Sequence, residues 1–240
     1  MDGPVRYESG DGIAVITLER PGKLNAIDQA AATALEEAWR RFDEGPDSVA
    51  VLTGAAGAFT AGVDVTDPPR DSGWAPNLGV TTTKPIVLAV DGWCIGAGMI
   101  LLQQADLCVA TASSRFRYPE ARLGLSRGMA TGLAAKIPHK IAMEILLLGR
   151  VTTAEELYRA GLVNAIAEEG AALATAKEWA AEIAAADQDV VRYLKEGVLA
   201  TLPRGPGEAA EQARWRAARL PGNQRLLAGN LTPADLKGNR

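Results

Sequence analysis

Histidine is nearly absent from this chain: His139 is the only one in 240 residues. A metal site built on several histidines is therefore excluded. A histidine-based nucleophilic triad would have to use this one residue. His139 follows Pro138 at the start of a helix-like stretch, where a surface or cap position is expected. Cysteine is scarce too. Cys94 and Cys108 are the only two, so no disulfide framework is expected and a reducing, cytoplasmic setting is favoured. No run approaches the roughly 18 apolar residues that span a membrane. The start, Met1 to Gly10, lacks the apolar core of a signal peptide. Charge of one sign does not dominate: the net value of −4 gives no reason to expect a nucleic-acid partner. What remains is an ordinary globular composition, 48% hydrophobic and 22% charged, with length enough for one large domain and a sizeable core. Chemistry must then come from carboxylates, backbone groups or a bound cofactor.

Along the chain, Ile13–Leu18, Val49–Thr53 and Pro85–Val90 read as buried strands. Leu107–Ala110, Arg115–Arg117 and Leu162–Ala167 read as shorter ones. Asp28 to Phe42 carries an apolar face at helical spacing, Ala31, Leu35, Ala38, Trp39 and Phe42, with Asp28 placed as an N-cap. Ile95 to Gln104 reads as a helix after the third strand. Asp67 to Thr83, broken by prolines and glycines, reads as a surface loop over a site. From Thr131 onward the pattern is mainly helical: 131–136, 139–148, 154–160, 171–186, 190–200 and 208–220. Sparsely charged strands alternating with helices predict an α/β fold. The tail Asn230–Arg240 is expected to be mobile.

Two short loops of small residues each follow a hydrophobic strand. They are Phe59-Thr60-Ala61-Gly62-Val63-Asp64 and Asp91-Gly92-Trp93-Cys94-Ile95-Gly96-Ala97-Gly98. Small side chains let the backbone approach a ligand, and two such loops can aim two N–H groups at one oxygen. Removing a proton next to a thioester places negative charge on its carbonyl oxygen. Two preorganised N–H donors in a dry site stabilise that charge by about 3 kcal/mol each. A single carboxylate, Glu120, follows in Phe116-Arg117-Tyr118-Pro119-Glu120. In an apolar setting its pKa rises toward neutrality, which suits a general base. Arg117 and Arg122 are the nearest candidates to pair with it instead.

These segments, in this order, resemble the crotonase, or enoyl-CoA hydratase/isomerase, family. The matching stretches also include Val15–Ala26, Lys84–Gly92, Phe116–Gly124 and Ala142–Arg150. The resemblance implies a spiral of ββα turns with a helical C-terminal trimerisation region, divided as a core at 1–186 and a helical region at 187–240. It implies acyl-CoA thioester substrates, coenzyme A entering as part of the substrate, no metal, and a homotrimer or dimer of trimers. By resemblance the oxyanion donors fall on Ala61 and Ala97, the general base on Glu120, and a glycine that helps hold the reacting group on Gly128. Lys23, Leu24 and Ala26 match the segment that contacts coenzyme A. Asp64 matches the motif too, with a helix cap as its other reading.

The chain also departs from the family. Hydratases carry a first glutamate where this sequence has Ile100, and the neighbours Met99, Leu101 and Leu102 are equally inert. Water addition is easiest with two carboxylates; moving a double bond needs one. Isomerisation of an enoyl-CoA is therefore the first expectation. Hydration or dehydration of an unusual acyl-CoA is the alternative, with Tyr118 as a candidate partner of Glu120. A catalytically reduced subunit that binds acyl-CoA or a partner enzyme is the third. Arg127 stands where many relatives have a proline; it can pair with an acidic or polar acyl group or, as the first expectation, with a nearby carboxylate on the surface. The short Asp67–Thr83 segment leaves either an open acyl pocket or a small one capped by Trp74.

Overall fold

A computed structural model of the chain describes residues 3–228. The tail Asn230–Arg240 lies outside them. The elements run β1 (Val5–Gly10), β2 (Ile13–Leu18), α1 (Gln29–Glu44), β3 (Val49–Gly54), β4 (Ala58–Thr60), β5 (Ile86–Val90), β6 (Trp93–Ile95) and α2 (Ala97–Gln104). There follow β7 (Leu107–Thr111), β8 (Arg115–Arg117), α3 (Glu120–Leu123), α4 (His139–Leu148), β9 (Val151–Thr153), α5 (Ala154–Ala160) and β10 (Ala165–Ala167). The chain closes with α6 (Ala172–Ala184), α7 (Gln188–Thr201), α8 (Pro206–Ala218) and α9 (Pro221–Leu227).

The strands form two sheets, ordered β1-β2-β3-β5-β7-β10 and β4-β6-β8-β9. Successive strands alternate between them: β3 then β4, β5 then β6, β7 then β8. Pairing is parallel throughout except β1–β2 and β8–β9. This is the expected ββα spiral. Strands β3 and β5 are buried along nearly their whole length because both faces of the large sheet are covered. Leu52, Leu88, Val90 and Ala110 point into a core shared with Leu35, Trp39 and Phe42 of α1. Val49, Val51, Val87, Ala89 and Val109 point the other way, onto Ala172, Ala176 and Ala180 of α6. The alanine stripe lets α6 lie close on the sheet.

Several expectations change. Strand β1 is a half-exposed antiparallel edge whose polar alternation hides it in the sequence. β4, β6 and β9 have three residues each, too few for a period to show. Helix α2 begins at Ala97 because Gly96, at φ 53°, ends β6 and turns the chain. The 67–83 segment is not a surface loop. Residues 72–80 are buried, and Trp74, 1% exposed, sits in the core with its carbonyl accepting from Trp39 Nε1 at 2.9 Å. Trp74 therefore fills core volume and is no cap over a pocket. His139 is exposed as the first residue of α4. No helix among the described residues is long and apolar enough to cross a membrane.

Candidate active site

The small sheet positions the site. Strands β6 and β8 are parallel neighbours, with Ile95 paired to Arg117. Their C-terminal ends therefore emerge side by side: β6 leads into Gly96-Ala97, and β8 into Tyr118-Pro119-Glu120. Gly96 N–H donates to Arg117 O at 2.9 Å and ties the two ends together. Ala97 is the first residue of α2, so its N–H has no intrahelical acceptor. Among the described residues it has no other acceptor either.

The first donor loop is built by Asn25 and Thr60. Asn25 is 1% exposed and donates to Ala55 O and Ala58 O at 2.8 and 2.7 Å. Thr60 Oγ1 donates to Asn25 O at 2.7 Å and accepts from Gly62 N at 3.0 Å. Ala61 N–H donates to Leu24 O at 2.9 Å. This corrects the expectation for Ala61: its N–H is already engaged. Asp64 N–H donates to Ile27 O at 2.8 Å. Val63 N–H is the donor of this loop left without an acceptor among the described residues. The sequence cannot show this, because the choice between Ala61 and Val63 depends on where the Leu24 carbonyl lies.

The two loops converge. A Cβ built on Gly62 (φ 95°) would lie 3.4 Å from Ala97 N and 2.9 Å from Ile95 O. A Cβ built on Gly96 would lie 3.0 Å from Glu120 Oε1 and 3.9 Å from Gly62 Cα. Two glycines thus open the crevice between the donors and the carboxylate.

Glu120 opens the short helix α3. Its Oε2 is buried with no hydrogen-bond partner among the described residues. Burial, only partly offset by a backbone hydrogen bond, raises its pKa to about 7. Neither flanking arginine pairs with it. Arg117 Nε donates to Gly149 O at 3.0 Å, and Arg122 Nε donates to Leu148 O. Tyr118 is 8% exposed, and its hydroxyl is held protonated by burial first and by the Glu120 charge second. Ile100, one turn beyond Ala97 on α2, is 2% exposed and packs in the apolar core.

The remaining predicted residues divide. Lys23 and Leu24 are exposed on the loop whose Leu24 carbonyl holds Ala61, next to the first donor loop. Ala26 is buried and its carbonyl accepts from the Arg20 guanidinium. Asp64 bonds Thr66 Oγ1 and N at 2.6 and 3.1 Å and lies 3.4 Å from Arg20. The Thr66 hydroxyl and N–H hold its carboxyl below the usual carboxylate range. It closes a turn; no helix follows it. Gly128 (φ 74°) packs on Gly207 in the first turn of α8, and its carbonyl accepts from Thr131. Arg127 pairs with Glu211 at 3.2 Å and donates to Pro69 O at 3.2 Å; it forms an ion pair, but with a buried carboxylate and not the surface one expected.

A family model described as enoyl-CoA hydratase/isomerase matches residues 8–219. A mevalonyl-coenzyme A hydratase of Beauveria bassiana is 35% identical over 210 residues, spanning 78% of this chain and 75% of that protein. An (E)-benzylidenesuccinyl-CoA hydratase of Thauera aromatica is 32% identical over 210 residues, with 82% of each chain covered. The crystal structure of a probable enoyl-CoA hydratase/isomerase from Mycobacterium abscessus superposes with a TM-score of 0.78 at 31% identity, covering 95% of this chain and 97% of that one. The fold is the crotonase fold. With a family model spanning most of its length and relatives more than 30% identical over three quarters of it, the chain belongs to the enoyl-CoA hydratase/isomerase family and is an enzyme acting on acyl-CoA.

Proposed function

We propose that this enzyme performs single-base enolate chemistry, with Glu120 as the base and double-bond isomerisation of a 3-enoyl-CoA as its reaction. The observation that carries this reading is one half-buried carboxylate with an unpartnered buried oxygen, Glu120 Oε2, together with Ile100. A Cβ on Gly96 would meet Glu120 Oε1 at 3.0 Å, and the neighbouring Val63 and Ala97 N–H groups have no acceptor among the described residues, which supports this reading. At the position where a second acid would stand, Ile100 is packed into the core.

The thioester carbonyl oxygen accepts from Val63 N–H and Ala97 N–H. The Glu120 carboxylate takes the C2 proton, and the electron pair of that bond spreads over C2 to C4 and the carbonyl oxygen. The two donors stabilise this dienolate by about 3 kcal/mol each. Glu120, now a carboxylic acid, returns the proton at C4. The double bond has moved from C3–C4 to C2–C3, and the base is regenerated. A carboxyl with a pKa of about 7 suits both transfers, because neither direction is steeply uphill. Lys23 and Leu24, exposed beside the first loop, are placed to meet the coenzyme A portion.

A second reading is hydration of a 2-enoyl-CoA with Glu120 alone holding the water. The hydratase names of the relatives favour it. Absorbance separates the two. Isomerisation of 3-hexenoyl-CoA raises the conjugated-thioester signal, and hydration of crotonyl-CoA lowers it. The rise, lost in Glu120→Gln, is the expected result. A fall with crotonyl-CoA and no rise with 3-hexenoyl-CoA would replace isomerisation by hydration.

A further inference from the structure

Two arginines bracket Glu120 in the sequence, and both turn away from it to the same place. Arg117 and Arg122 donate to Gly149 O and Leu148 O, consecutive carbonyls at the C-terminal end of α4. A helix C-terminus carries partial negative charge and orphan carbonyls, so two guanidinium groups are well matched to it. The packing there is close. Gly149, at φ 54°, lies where a Cβ would sit 3.1 Å from Tyr118 O and 3.3 Å from Arg122 Cδ. The α4 terminus is thus a support on which the Arg117–Arg122 turn rests. Arg117 also reaches the other half of the site, because its carbonyl accepts from Gly96 N–H at 2.9 Å.

We infer that Arg117 and Arg122 are positioning residues: tied to the α4 C-terminus, they hold the Glu120 turn against the Gly96–Ala97 donor loop while keeping their own charge away from the carboxylate. This rests on Glu120 being the base. The arrangement accounts for a buried Oε2 that has neither a hydrogen bond nor a cation beside it, although two cations lie within three residues in sequence. Proton transfer depends steeply on the distance between base and C2, so a turn released by even an ångström loses rate more than affinity.

The test uses the full chain and C2-deuterium exchange of butyryl-CoA in deuterated water, followed across pH. Arg117→Gln, Arg122→Gln and the double variant are compared with Arg122→Lys, which retains a donor for Leu148 O. The expected result is a tenfold or larger fall in kcat in the double variant, with KM within about twofold. The acid limb of the pH profile stays where the parent enzyme has it, and Arg122→Lys recovers part of the rate. Unchanged kcat in the double variant would overturn the inference. So would an upward move of the limb by half a pH unit or more, since that would show the guanidinium charges acting on Glu120 directly. If the double variant unfolds, the single variants carry the same readouts. Failure of the underlying reading looks different: Glu120→Gln would then exchange as fast as the parent.

Discussion

At the scale of single residues, Glu120 dominates. Its raised pKa sets a pH dependence with a definite sign. The base form is the carboxylate, so the rate of proton abstraction should fall about tenfold per pH unit below about 7 and level off above it. A kcat/KM profile measured between pH 5 and 9 checks this. The same shift bears on stability. The folded-state value of about 7 lies above the 4.5 of a free glutamate, so the native state binds the extra proton between these values. Stability from this group is fully present below pH 4.5 and is lost as pH rises through 7. Glu120→Gln should therefore raise the melting temperature at pH 8 but not at pH 4. After allowing for the water that reaches the group, the gain is about 1 kcal/mol. Gly96 makes the companion prediction. Gly96→Ala would force a Cβ to within 3.0 Å of Glu120 Oε1 at a φ of 53° that alanine resists. A loss of about 10²-fold in kcat is expected, with the fold retained by circular dichroism.

At the scale of elements, the site is a meeting of strand ends and helix starts. β6 delivers Ala97 to the first position of α2, and β8 delivers Glu120 to the first position of α3. Their parallel register places donor and base side by side. Other helices are stabilised at their own ends. Thr153 caps α5 in a reciprocal box with Glu156: Thr153 Oγ1 accepts from Glu156 N at 3.2 Å, and Thr153 N donates to Glu156 Oε2 at 2.7 Å. Thr153→Ala should cost about 1 kcal/mol in urea unfolding and leave kcat unchanged. A large loss of activity in that variant would show that α5 is coupled to the site.

At the scale of the whole molecule, α8 is fastened to α2 by a buried carboxylate. Glu208, 5% exposed, accepts from Gln103 and Gln104 at 2.6 Å each and from Gly205 N at 2.7 Å. Glu208→Ala leaves the Gln104 amide and the Gly205 N–H without their acceptor, and Gln103 with only Met129 O, and should cost roughly 3 kcal/mol, read from the urea midpoint. No local period betrays such a long-range contact. Much of the architecture was nonetheless legible in the sequence. Ile13–Leu18 and Ile86–Val90 are apolar runs of strand length, and Asp28 before an apolar helical face marks the start of α1. What stayed hidden was short, polar or decided by partners. β4 and β6 are too brief for a pattern. The proline- and glycine-broken 72–80 stretch is buried because Gly73 and Gly79 pack backbone on backbone. The site was half legible in the same way. Glu120 and Ala97 stand out by their order in the chain. Val63 is proposed as the other donor because Leu24 O takes the N–H of Ala61.

The most direct test of a single-base enolate site needs no knowledge of the natural acyl chain. Butyryl-CoA is incubated with the enzyme in deuterated water at pH 8, and deuterium at C2 is followed by mass spectrometry. Exchange is expected in the parent chain, with its loss in Glu120→Gln and its retention in Ile100→Val. Equal exchange in the parent and in Glu120→Gln would contradict the assignment of Glu120 as the base.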